Sequence, residues 1–119
     1  MTTNSGTAIA EDFLSTQVQL LEAGDTQTLS LRYAQDAVFV RFDFVARGRA
    51  EVKAMFDDYL KENPQVGEVV GVKITDDLLM YQASERLNGK LVWAVGTIYF
   101  ENGLVKRQTA AFIDRDLES

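Results

Sequence analysis

Cysteine and histidine are both absent from this sequence, and proline occurs once. Without cysteine there is no disulfide framework, no thiolate zinc site and no nucleophilic thiol. Without histidine there is no Ser/His/Asp triad, no imidazole metal ligand and no side chain whose ordinary pKa lies near neutrality. Any proton transfer therefore falls to carboxylates, tyrosine, lysine or water. The 12 basic residues are outnumbered by 18 acidic ones and stand singly, so the net charge of -6 disfavours nucleic acid as a partner. Residues 1–7 are polar, with neither a basic nor an apolar targeting region, and no later apolar run is long enough to span a bilayer. These features predict a cytoplasmic protein with no membrane partner and a flexible segment over residues 1–7. No phosphate loop, nucleotide fingerprint, zinc spacing or calcium loop is present, so neither cofactor nor metal is expected.

What the sequence does have is apolar material in two successive periods. At 46% apolar over 119 residues it can bury about two thirds of its unfolded surface as one domain, 1–119. The apolar positions Ile9, Phe13, Leu14, Leu20 and Leu21 share one arc of a helix that Gly24 stops. Asp25 is placed to cap a short second helix carrying Leu29 and Tyr33, and a β-prone run follows from Ala37 to Phe42. Val52, Met55, Phe56, Tyr59 and Leu60 repeat at helical spacing until Asn63-Pro64 ends a third helix. Beyond Pro64 the period becomes two, predicting strands over 66–75, 78–87, 90–100 and 104–113. Asn88-Gly89 and Asn102-Gly103 are dipeptides of two-residue hairpins, and Asp76-Asp77 makes a looser equivalent.

Two-residue turns fix a register, and a register assigns faces. Counting across the sheet gives one face with rows Val72, Tyr81, Gly96, Thr109; Ile74, Leu79, Ile98, Arg107; Val70, Ala83, Ala94, Ala111; and Glu68, Glu85, Val92, Ile113. The opposite face gathers Trp93, Val95, Tyr99, Leu104, Ala110 and Phe112, too apolar for water, and Trp93, Val95, Tyr99, Leu104 and Phe112 are the expected homodimer interface. The architecture is thus α+β: three N-terminal helices on a curved, mixed, mostly antiparallel sheet.

Leu20-Leu21-Glu22-Ala23-Gly24-Asp25, Tyr33-Ala34-Gln35-Asp36-Ala37-Val38 and Gly48 ahead of the third helix resemble the nuclear transport factor 2-like superfamily, in its SnoaL-like and ketosteroid isomerase-like branch. The resemblance covers nearly the whole chain and implies a cone-shaped fold with a pocket roofed by the helices, and a dimer through the outer sheet face. In the isomerase branch an oxyanion donor, a carboxylate base and a second acid fall on positions that here are Gln17, Arg41 and Gly96. Without those groups a steroid-type isomerisation is not expected.

The expected pocket residues are Gln17, Arg41, Met55, Tyr59, Tyr81, Gly96, Arg107 and Thr109. Gln17 interrupts an apolar helix row and needs partners if buried. Arg41 either pairs with Asp43 in solvent or offers a fixed positive charge inward. Arg107 stands in an apolar row and requires an anion or water if it points inward. Tyr81 lies opposite Gly96 and covers it, and Tyr59 presents a polar tip. Glu68 and Glu85 share an end row, where a solvated rim is the simpler expectation. Three functions remain open: a binding protein for a small apolar or anionic molecule, an enzyme of polyketide cyclase-like or epoxide hydrolase-like type using Arg41 and Asp43, and a dimerisation module.

Overall fold

A computed structural model describes residues 5–115. Helix α1 spans Ser5–Glu22, so residues 5–7 of the segment expected to be flexible are helical, while residues 1–4 lie outside the described residues. Gly24, at φ 69°, supplies the left-handed residue that ends this helix. Asp25 caps α2 (Thr26–Ser30) by accepting the Thr28 N–H at 3.0 Å. Tyr33, placed on this helix by its spacing from Leu29, instead opens strand β1 (Tyr33–Arg41). A short strand β2 (Val45–Arg47), which the sequence does not announce, folds back on β1 and leads through Gly48 into α3 (Arg49–Leu60). Val52, Met55, Phe56 and Tyr59 form the buried stripe of α3, each burial contributing about 1.5–3 kcal/mol.

The remaining strands are β3 (Gln65–Ile74), β4 (Leu78–Leu87), β5 (Lys90–Glu101) and β6 (Leu104–Asp114). They follow the predicted hairpins, with Asn88, Gly89, Asn102 and Gly103 all at positive φ. The six-stranded sheet has the order β2-β1-β6-β5-β4-β3, antiparallel except for the parallel pair β1 and β6. Helices pack on one face, and the core gathers Leu14, Leu29, Tyr33, Phe39, Phe56, Leu79, Ile98 and Val105. No helix among the described residues is long and apolar enough to cross a membrane.

Two irregularities revise the predicted faces. On β6, Leu104 and Val105 keep the counted register against Glu101 and Phe100, but Arg107 faces Tyr99 instead of Ile98. Lys106 is the extra residue of a β-bulge, anchored by Asp36 and near Glu101. Everything beyond it on β6 is turned over. Gln108, Ala110 and Phe112 therefore lie on the helix-covered face, opposite Ile98, Gly96 and Ala94, while Arg107, Thr109, Ala111 and Ile113 lie on the outer face. On β3, shifts between Val66 and Gly71 bring Val66 opposite Glu85 and Val69 opposite Ala83, where Glu68 and Val70 were expected. Both displaced residues are exposed. Between β4 and β5 the register is as counted, from Leu78 with Tyr99 to Leu87 with Lys90.

Candidate functional site

Between α1, α3 and the concave sheet face lies a cavity of about 110 Å³. Its wall is mainly apolar: Leu14, Val18 and Leu21 from α1, Met55 and Phe56 from α3, and Phe39, Val66, Val69, Ala83, Ala94, Ile98, Ala110 and Phe112 from the sheet. Polar groups enter it at a few points, from Gln17, Arg41, Tyr59, Tyr81, Glu85 and Gln108. An apolar cavity of about 150 Å³ holds a benzene ring, so this one suits a guest no larger than that.

At one end Glu85, only 4% exposed, accepts a hydrogen bond from the Tyr59 hydroxyl. Burial raises the Glu85 pKa, the bond from Tyr59 works against that rise, and the Glu62 charge adds to it. Tyr59 is pushed up in turn by its own burial and then by the neighbouring Glu85 charge. Its ring stacks on Phe112 at 5.9 Å and 6°, which holds the hydroxyl in place. At the mouth, Arg41 is bidentate to Asp43, with both contacts 3.1 Å, and its guanidinium lies 5.4 Å from the Phe112 ring centre. The Arg41 side chain is 16% exposed while Asp43 is 65% exposed, so the pair straddles the wall and solvent.

At the other end Gln17 and Gln108, both buried, are joined through Tyr33. Gln17 Nε2 donates to the Tyr33 hydroxyl at 3.0 Å, and that hydroxyl donates to Gln108 Oε1. Tyr33 is raised by burial first. Tyr81 is pushed up to about 12 by burial, against a hydrogen bond from Gln108.

Of the residues predicted for the pocket, Gln17, Arg41, Met55, Tyr59 and Tyr81 line the cavity. Gly96 faces the same side but is not part of the wall, being covered by Tyr81: a Cβ there meets the Tyr81 hydroxyl at 2.8 Å and presses into the Thr109 carbonyl oxygen. Arg107 and Thr109 lie on the outer face, carried there by the Lys106 bulge. The same bulge removes Phe112 from the predicted interface and makes it a cavity wall, whereas Trp93, Val95, Tyr99 and Leu104 stay outside. Glu85, expected at a solvated rim, is a buried cavity residue, and the sequence assigns neither Gln108 nor Tyr33 a place in the site. The β4 alternation Leu79, Tyr81, Ala83, Glu85 carried the signal for Glu85. Gln108 had none that precedes knowledge of the bulge. Among the described residues no three His, Cys, Asp or Glu gather where they could hold a metal ion.

No family model and no curated protein sequence matches the chain. Solved structures do. A nuclear transport factor 2-like protein from Anabaena variabilis superposes with a TM-score of 0.78 at 11% identity, covering 94% of this chain and 92% of that one. The fold is the nuclear transport factor 2-like fold. A second protein of this type, from Burkholderia xenovorans and of unknown function, reaches 0.73 at 23% identity over 92% of this chain and 86% of that one. An LEH-like epoxide hydrolase from M. tuberculosis reaches 0.68 at 14% identity, over 87% and 81%. At these identities the likeness carries the fold, and the cone of helices over a curved sheet places the cavity.

Proposed function

We propose that the cavity binds a small, neutral, mainly apolar molecule that carries one or two polar atoms. The observation behind this reading is the convergence of a few buried polar side chains, Glu85 with Tyr59 and Gln108 with Tyr81, on an otherwise apolar wall. An anion is a poorer guest. The cavity offers it no unmatched positive charge, since the Arg41 guanidinium is already paired with Asp43. Neither a steroid-sized guest nor a steroid isomerisation suits a cavity of about 110 Å³ whose candidate acid and base positions are Gln17, Arg41 and Gly96. The test is methyl-detected NMR with small cyclic ketones, ethers and arenes. Saturable shifts at Met55, Ala83, Ile98 and Ala110 that vanish in Ala83→Leu, which fills the space, support the reading. Shifts confined to outer-face residues, or unchanged by Ala83→Leu, defeat it.

A second reading, turnover of the guest, is favoured by Glu85 itself. A buried carboxyl whose pKa is raised, hydrogen-bonded to a tyrosine on the cavity wall, is a group able to exchange a proton with a guest, and one protein of this fold is an epoxide hydrolase. Turnover that disappears in Glu85→Gln while binding persists would separate this reading from the first.

The outer face supports a homodimer as a further part of the proposal. Met80 and Ile113 are 59% and 47% exposed, and with Trp93, Val95 and Tyr99 they make up apolar surface on either side of the Thr97 and Thr109 hydroxyls of that face.

A further inference from the structure

Four side chains run in one hydrogen-bonded line from the turn after α2 into the cavity wall. Arg32 Nη1 donates to Gln17 Oε1 at 3.0 Å, and Nη2 donates to the Phe13 carbonyl at 3.2 Å. The guanidinium also lies 3.9 Å from the Phe13 ring centre, so it is held from three directions. Gln17 passes the line to Tyr33 and Tyr33 to Gln108, which stands with Tyr81 in the cavity wall.

The line has a direction, and Arg32 sets it. A guanidinium has donors only, so Gln17 must turn its oxygen to Arg32 and its amino group to Tyr33. The Tyr33 oxygen is thereby an acceptor, and its hydrogen goes to Gln108 Oε1. Gln108 then has only its amino group left for Tyr81 and the cavity. Gln17 is 8% and Gln108 6% exposed, so turning either amide over sets like atoms against each other where water cannot repair the fault.

We propose that Arg32, acting through this line, makes the Gln108 and Tyr81 end of the cavity a hydrogen-bond donor, so that the site selects guests with a bare acceptor oxygen, ketone or ether, over isosteres without one. This rests on the reading of the cavity as a binding site and adds the chemical class of the guest. Arg32 is a positioning residue, remote from the guest.

The probes are cyclopentanone and methylenecyclopentane, which share a ring and nearly a shape but differ in the acceptor. In the wild-type protein the ketone binds roughly tenfold or more tightly, since the alkene leaves buried donors unmet, and the bound carbonyl stretch shifts to lower frequency. Gln17→Glu reverses the line. A carboxylate only accepts, so it takes hydrogens from both Arg32 and Tyr33; Tyr33 then accepts from the Gln108 amino group, and Gln108 turns its oxygen to the cavity. The ketone preference is lost or inverted, cyclopentanol binding survives, and the carbonyl shift disappears. Arg32→Met frees the line to point either way and brings the preference toward parity, which a merely structural loss would not do selectively. The wild-type infrared shift stands even where a variant fails to fold. Saturable binding of both probes with equal affinity, or a preference unchanged in Gln17→Glu, overturns the proposal and leaves the pocket intact. No binding of either probe to the wild type removes the pocket reading and the proposal together.

Discussion

Tyr59→Phe, made alone and with Glu85→Leu, isolates the buried carboxyl. Burial raises the Glu85 pKa above its ordinary value of 4.5. The native state thus holds this proton more tightly than the unfolded chain does. Its stabilising contribution is fully present below about pH 4.5, falls as pH rises through the folded pKa, and is gone above it. The Tyr59 hydroxyl tempers that loss, and Phe keeps the ring stacked on Phe112. A hydrogen bond to a neutral carboxyl contributes about 0.5–1.5 kcal/mol and one to a carboxylate about 1.5–3. Tyr59→Phe should therefore cost about 1 kcal/mol at low pH, where Glu85 is protonated, and about 2 kcal/mol once the carboxyl is ionised. Adding Glu85→Leu replaces both partners by apolar groups, a change that is often neutral or stabilising, so at pH 8 the double variant should recover most of that loss. Urea unfolding followed by Trp93 fluorescence from pH 4 to pH 8 measures both. Parallel pH profiles for wild type and double variant would show that Glu85 is an ordinary solvated carboxyl and refute the reasoning.

Gly96→Ala should lower stability by about 1–3 kcal/mol through overpacking, a fall in melting temperature of roughly 4–12 °C for a domain of this size; removing the Tyr81 hydroxyl as well should restore little, because the Thr109 carbonyl still blocks the Cβ. A melting point unchanged within 2 °C or so would contradict that close approach. Trp93→Glu should shift sedimentation toward monomer by placing a charge in the outer apolar face, and an unaltered dimer, or a wild-type monomer at high concentration, removes that face as the interface. Incubation with an oxosteroid should give no appreciable double-bond isomerisation by ultraviolet absorbance, and robust turnover would overturn the assignment of Gln17, Arg41 and Gly96.

Helices and hairpins were legible because their signals are local. The α3 stripe, the Asp25 cap and the two Asn-Gly turns each lie within a few residues, and the register between β4 and β5 followed from Asn88-Gly89 without error. Strand β2 and the parallel pairing of β1 with β6 were not legible, since three residues carry too little period and a parallel partner leaves no turn. The cavity was half legible. Gln17 stood out as a polar residue in an apolar row, but the place of Glu85 depended on what covers the end of β4, and that of Gln108 on a bulge. A bulge is settled by the sheet's curvature and by the Lys106 contact with Asp36, far away in sequence.

Strand β6 serves two surfaces at once, with Gln108, Ala110 and Phe112 walling the cavity and Arg107, Thr109 and Ala111 facing out. One unpaired residue decides which set does which. Pairing Lys106 with Tyr99, as the plain hairpin count does, would turn the strand inside out, burying Arg107 and exposing Phe112, whereas deleting Lys106 would close the bulge and leave both faces as they are. The bulge therefore decides how this strand is aligned: counting positions outward from the Asn102-Gly103 turn, in this chain or against a relative, exchanges wall for surface wherever the extra residue is counted as paired.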